Sequence, residues 1–351
     1  MSTYDLVADL PVRIDSYEME GLSIRLPPEF ERLTTVIQIQ ADGLTGNGED
    51  ITYEGLDQIA LQDAGPVQDL TVAETIGEFC ELIGQLDLFP APPEREVSRN
   101  YRRWAFESAA LDLALKQADT DLASLLEKQL RPLTFVASMG LGGGGAGSDI
   151  GALEVKLERY PDLQFKLDPA LDWDQDLIDR LAATGAVNTL DLKGQYKGTP
   201  VDIDTDPGLY RRLAESFPEA WLEDPDLNEE AGPILEPHMD RVTWDAPIHS
   251  VDDIANLEYK PKVINIKPSR MGGLKSTLDG YDYCRENGIG AYGGGQWELG
   301  VGREQIQYLA ALFHPDTPND VAPRGYNADE PDPGLPISPM EVASIGFGIP
   351  N

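Results

Sequence analysis

From Leu133 onward the chain repeats one arrangement, a short apolar segment followed by a helical stretch and a turn. The segments are LTFVASM, LQFKLD, VNTLDL, AWLED, RVTWDA, VINIKP, IGAYGG and DVAPRG, eight in all. Their starts lie roughly 22 to 32 residues apart, the length of one parallel strand, one helix and two loops. Eight such units close into a barrel, and no sequence repeat or low-complexity tract competes with that reading. A barrel delivers the C-terminal ends of its strands to one mouth, so the residues ending these segments are the first place to look for chemistry.

The 130 or so residues before the barrel read differently. RLTTVIQIQA (32–41) alternates as a strand does, and DGLTGNG supplies a turn toward a second strand. AETIGEFCELIGQL (73–86) and RRWAFESAALDLALKQA (102–118) carry helical apolar spacing. This region is α+β. The end of the chain, from about Pro331, is rich in Pro and Gly and suits a surface wrap.

Five successive barrel segments end in an ionisable residue: Lys166, Asp191, Glu223, Asp245 and Lys267. Three carboxylates meeting at one point repel unless a cation neutralises them. A hard ion with oxygen ligands, Mg2+, suits an Asp-Glu-Asp set. The three histidines, His238, His249 and His314, show no metal spacing, which argues against zinc. Three carboxylates and Mg2+ still sum to a negative charge, so a carboxylate substrate needs a flanking lysine, and a lysine beside a metal is a usable general base.

These residues carry a resemblance. INIKPSRMGGL, LEDP, DAPIHSVDD and ELGVG resemble the sixth-, fourth-, fifth- and seventh-strand elements of the enolase superfamily, nearest its muconate-lactonising (muconate cycloisomerase-like) subgroup, and the α+β region resembles that family's capping domain. The resemblance implies an α/β fold, a modified TIM barrel (β/α)7β over residues 132–330. An N-terminal capping domain would occupy 1–131, with a tail, 331–351, packed on it. It also implies metal ligands Asp191, Glu223 and Asp245 for Mg2+, catalytic lysines Lys166 and Lys267, and Gln164, Lys193, Glu298 and Arg324 as substrate or supporting residues. The implied reaction is removal of the proton α to a carboxylate to form an enediolate. Its outcome would be racemisation or epimerisation, cycloisomerisation or β-elimination, making the chain an isomerase or lyase. A carboxylate-binding barrel without turnover and an acid-sugar dehydratase are the alternatives. The subgroup's second strand reads Lys-x-Lys. Here either Gln164-x-Lys166 fills it, or Lys166-x-Asp168 does, leaving Lys267 as the lone lysine base. Lys193 stands on the third strand where Asn is usual. Arg324, in place of an Asp-x-Asp pair on the eighth strand, disfavours an ammonium-bearing dipeptide.

Charge and composition set the remaining expectations. Sixty-two acidic residues against 27 basic ones give a net charge of −35, which repels nucleic acid and anionic membranes. No apolar run reaches a membrane-spanning length, and the N-terminus lacks a signal pattern, so a cytoplasmic protein is expected. The partners expected are a small-molecule carboxylate and, by the resemblance, further copies of the chain. Cys80 and Cys284 lie far apart in apolar helical stretches and read as buried free thiols. Gly140 to Gly145 formally match a dinucleotide-loop pattern, but too many α/β units follow for that fold, and a loop over the barrel mouth is the reading preferred. The glycine run 293–295 lacks a phosphate-binding partner, and Trp297 reads as packing.

Overall fold

The computed structural model describes residues 2–26, 30–142, 147–199, 202–342 and 347. Residues 143–145 of the glycine run expected over the mouth lie outside these. Among the described residues no helix is long and apolar enough to cross a membrane.

Among the described residues the capping region is a three-stranded antiparallel sheet with five helices, the last a single turn at Leu122–Leu125. Strands β1 (Ser16–Leu26), β2 (Phe30–Ala41) and β3 (Leu44–Asp50) pair in that order. The hairpin anticipated from DGLTGNG is the two-residue turn Asp42–Gly43, both with positive φ (53° and 77°), the pairing that matches strand twist. The other four helices are α1 (Thr3–Ala8), α2 (Gly55–Ala64), α3 (Ile76–Gln85) and α4 (Ser98–Gln117). β1 and α2 carry no strong periodicity and were not expected. The small side chains of α4 let it lie directly on β3. Ala105, Ala109 and Leu113 are fully buried there.

The barrel strands are β4 (Ala137–Gly140), β5 (Phe165–Asp168), β6 (Val187–Asp191), β7 (Trp221–Glu223), β8 (Val242–Thr243), β9 (Val263–Asn265) and β10 (Gly290–Tyr292). Five of them, β4 to β8, form one parallel sheet in sequence order, and β9 pairs parallel with β10. Asn265 N–H donates to Trp244 O at 2.9 Å and joins the two. The eighth segment is reduced to single bridges, Asp320 with Gly294 and Asn319 with Phe135, which close the ring. Sequential parallel order excludes the doubly wound arrangement that a dinucleotide site requires. Both cysteines are buried and free.

The MGGL stretch after β9 is where the capping region and the barrel lock together. Gly272 has φ +83°, and a Cβ there would stand 2.6 Å from the Asn100 side chain of α4; one at Gly273 would stand 2.7 Å from Glu107 Oε2. Asn100 Nδ2 donates to Arg270 O at 2.9 Å, and Leu274 N–H donates to Glu107 Oε2 at 2.7 Å. The two glycines are there because a helix from the other unit approaches to backbone distance. At the end of the chain, Phe347 packs edge-on against Trp104 of α4 and against Tyr308.

Candidate active site

Strand register sets the site. Asp191 and Glu223 are direct partners across β6 and β7, so their carboxylates leave the barrel wall side by side. Lys166 pairs with Thr189, two residues before Asp191, and therefore stands one inward row deeper. Its ammonium reaches up to Glu223 Oε1, to Asp191 Oδ2 at 3.1 Å and to Asp320 Oδ2 at 3.6 Å. Lys267, just beyond β9, donates to Asp245 Oδ2 at 2.8 Å. Arg270 donates to Asp245 Oδ1 at 2.7 Å, and the Tyr196 hydroxyl to Oδ2 at 3.0 Å. All five expected residues are buried at the C-terminal end of the barrel.

The supporting residues divide. Lys193 is in the site, with its ammonium 2.5 Å from Asp191 Oδ2 and 3.3 Å from Asp168 Oδ1. Gln164 is not. Its amide bonds Gly185 O at 3.5 Å, before β6 begins and so at the opposite end of the barrel, which leaves Lys166 and Asp168 as the inward pair of β5. Glu298 accepts Gln296 N–H at 2.7 Å and pairs with Arg303 at 3.1 Å, bracing the loop after β10. Arg324 is spent on Leu299 O, Gly300 O and Glu304. Trp297, expected as packing, is 45% exposed with φ 61°.

Several site residues were missed. Asp224 follows Glu223 with φ 50°. Its two oxygens accept the N–H groups of Asp245 and Ala246, each at 2.8 Å, and pin the end of β8. Tyr292 of β10 reaches across the barrel to donate to Glu223 Oε2, and Thr243 Oγ1 donates to the Tyr292 hydroxyl at 3.3 Å. Asp320 opens the eighth segment and was overlooked in favour of Arg324. Its place as the first residue of DVAPRG was the available signal.

The acids outnumber the bases. Asp168, Asp191, Glu223, Asp224, Asp245 and Asp320 face Lys166, Lys193, Lys267 and Arg270. Two positive charges are lacking, and the carboxyl groups register it. Burial, reinforced by Asp191 and Asp245, holds Glu223 well above its ordinary value despite Lys166. Burial and the same neighbours push Asp224 up to about 7. Burial opposes ionisation of Asp191 too, but Lys166 and Lys193 overcome it and hold that group below the usual range. For Asp245, Arg270 and Lys267 likewise overcome burial. Against burial, the carboxylates keep Lys166 charged, with its pKa well above the ordinary lysine value.

An all-oxygen, electron-rich cluster lacking two positive charges fits one divalent hard cation. Asp191, Glu223 and Asp224 each offer an oxygen within 4.8 Å of the others. Asp224, however, is committed to two backbone amides, whereas Asp245 is held only by side chains. Asp224 thereby braces the end of β8.

The fold is similar to that of solved members of the enolase superfamily. The chain superposes on a solved enolase-superfamily member from Listeria innocua Clip11262 with a TM-score of 0.62, at 20% identity over 89% of this chain and 86% of that one. It superposes on muconate cycloisomerase from Pseudomonas fluorescens with a TM-score of 0.63, at 19% identity over 89% and 87%. In sequence it is 38% identical to the o-succinylbenzoate synthase of Bacillus subtilis (strain 168) over 91 residues, which span 25% of this chain and 24% of that protein. It is 25% identical to the o-succinylbenzoate synthase of Geobacillus stearothermophilus over 84% of this chain and 78% of the relative. The chain belongs to the family described as Domain of unknown function (DUF8230), whose N-terminal domain matches residues 5–125 and C-terminal domain residues 129–328.

Proposed function

We propose that the protein is a Mg2+-dependent isomerase or lyase that removes the proton α to a carboxylate and stabilises the resulting enediolate. Asp191, Glu223 and Asp245 would hold the ion, which when bound neutralises the negative charge that builds on the substrate's carboxylate. Lys267 takes the α-proton. It lies at the end of its strand beside a single carboxylate that Arg270 also holds, so an incoming cation that draws Asp245 away leaves Arg270 to keep the pair's geometry. Lys166 cannot serve in the same way, because Asp191, Glu223 and Asp320 surround it one row deeper. It stays an ammonium and steadies the enediolate.

The observation that carries this reading is the ring of acids on successive strands flanked by Lys166 and Lys267. One proton-accepting lysine favours β-elimination or cycloisomerisation over racemisation, which needs a base on each face. The named relatives make elimination-type chemistry the first to test, and a substrate related to that of an o-succinylbenzoate synthase is the natural starting compound.

The experiment is solvent deuterium exchange at the α-carbon across a panel of carboxylic acids with Mg2+. Wild-type protein should exchange, and Lys267→Ala should lose exchange by a thousandfold or more. Exchange unchanged in Lys267→Ala, or equal racemisation of both enantiomers by the wild type, would refute the assignment. Binding without any exchange would instead identify a carboxylate-binding barrel.

A further inference from the structure

The mouth holds three lysines in different circumstances. Lys166 lies deepest, with a side chain 4% exposed and three carboxylates around it. Lys267 is 8% exposed and engaged with Asp245. Lys193 is the most open at 16%, and it stands two residues past the end of β6, at the rim. Its backbone has φ 54°, a left-handed conformation rare for a residue with a long side chain. That conformation is held by Lys193 N–H donating to Asp191 Oδ1 at 3.2 Å, and it turns the side chain back so that its ammonium meets Asp191 Oδ2 and Asp168 Oδ1. Strained backbone of this kind persists where surrounding contacts over-determine it, and such sites concentrate where ligands bind.

Asp168 is the complementary half. It continues the inward row of β5 at the level of Asp191, since Leu167 pairs with Leu190. Its Oδ1 is buried without a hydrogen-bond partner and has only the ion pair to Lys193 at 3.3 Å. The lysine is therefore shared between two carboxylates. One of them, Asp191, belongs to the metal set proposed above.

We infer that Lys193 is the ammonium that grips a carboxylate of the substrate at the rim of the mouth, with Asp168 as its positioning residue. This rests on the metal-dependent carbon-acid function proposed above. When Asp191 turns to a divalent ion it gives up its hold on Lys193, and the freed donor faces the mouth while Asp168 keeps the chain in place. Lys193 makes and breaks no covalent bond and transfers no proton. A substrate with two carboxylates, one at the acids and one at the rim, is the class this arrangement selects.

Calorimetric titration of Mg2+-loaded protein with succinate, a dicarboxylate probe, tests it. Wild-type protein should bind succinate, and Lys193→Met should weaken binding at least ~tenfold, the size of a lost charge-assisted hydrogen bond. Mg2+ affinity should stay within about threefold, and Lys193→Arg should keep most of the succinate affinity. The transposed variant Asp168→Lys/Lys193→Asp, which moves the ammonium across the same 3.3 Å pair, should recover a large part of what Lys193→Met loses. Equal succinate affinity in Lys193→Met, a loss that merely follows Mg2+ affinity, or wild-type protein indifferent to succinate would each overturn the inference. Exchange of α-protons by the wild type alongside any of those results leaves the proposed function standing. Lys193-dependent succinate binding without exchange removes that function and keeps this one.

Discussion

The seam between the capping region and the barrel and the mouth of the barrel are both rich in buried charge, and they treat it in opposite ways. At the seam the buried charges find their hydrogen-bond partners within the chain, although burial and the neighbouring Glu298 still hold the Glu49 carboxyl above its ordinary value. Arg32 is fully buried, and its guanidinium donates to four carbonyls, those of Ile51, Thr52, Gln296 and Trp297, two on each side of the seam. Glu49 accepts the N–H groups of Leu299, Gly300 and Gly302 from the loop after β10. Behind the seam, inside the capping region, Arg102 of α4 pairs with Asp50 of β3 at 2.7 Å, both wholly buried. At the mouth six carboxylates meet four cations, and burial, reinforced by the neighbouring acids, holds Glu223 and Asp224 high. A seam satisfied internally stabilises the fold, whereas a mouth short of positive charge stores an affinity for something not in the chain.

The largest effect should come from breaking the buried ion pair of the capping region that backs the seam. Asp50→Ala leaves Arg102 buried and unpaired and should destabilise the protein by about 3–5 kcal/mol in denaturant unfolding. Mg2+ affinity measured on the remaining folded protein should change little. If that affinity fell in proportion, the two regions would be one energetic unit.

The reverse pattern is expected at the mouth. Glu223→Gln should weaken Mg2+ binding by roughly a hundredfold while raising the melting temperature of the metal-free protein, because it removes a carboxylate that burial and its acidic neighbours disfavour. The sign in pH follows from the same group. Its pKa is raised on folding, so the folded state holds a proton that the unfolded chain releases, and this contribution to stability is lost as pH rises through the folded value. The rise in melting temperature that Mg2+ confers on the wild type should therefore grow with pH, and in Glu223→Gln that growth should flatten. A smaller effect sharpens the contrast. Tyr292→Phe removes the phenol that fixes Glu223 Oε2 and should cost about tenfold in Mg2+ affinity with little change in stability.

The legibility of this chain in its sequence followed the strength of each local signal. The β2–β3 hairpin could be read because Asp-Gly between alternating apolar residues specifies its turn, and α4 because alanine and leucine recur at helical spacing. β1 was harder to read because its apolar alternation changes phase at Gly21, from Tyr17 and Met19 to Leu22, Ile24 and Leu26, and the eighth barrel segment contracted to bridges at Asn319 and Asp320 that no periodicity announces. In the site, the strand-end rule found Lys166, Asp191, Glu223, Asp245 and Lys267. It misplaced Gln164, because period-two reasoning says which face a residue takes but not which end of the barrel it reaches. It missed Tyr292 and Asp320, whose relevance depends on reaching across the barrel.

By itself the order of residues determined the seven β/α units, the ionisable strand ends and the glycines that admit α4, because each is a local pattern or a packing constraint written at a single position. Only the tertiary structure decided the row in which each side chain stands. That Lys166 sits beneath Asp191, that Lys193 bridges to Asp168, and that Asp224 braces β8 are consequences of register between strands separated by a helix and its two loops. A one-residue change in that register would leave the pattern nearly intact and dissolve the site.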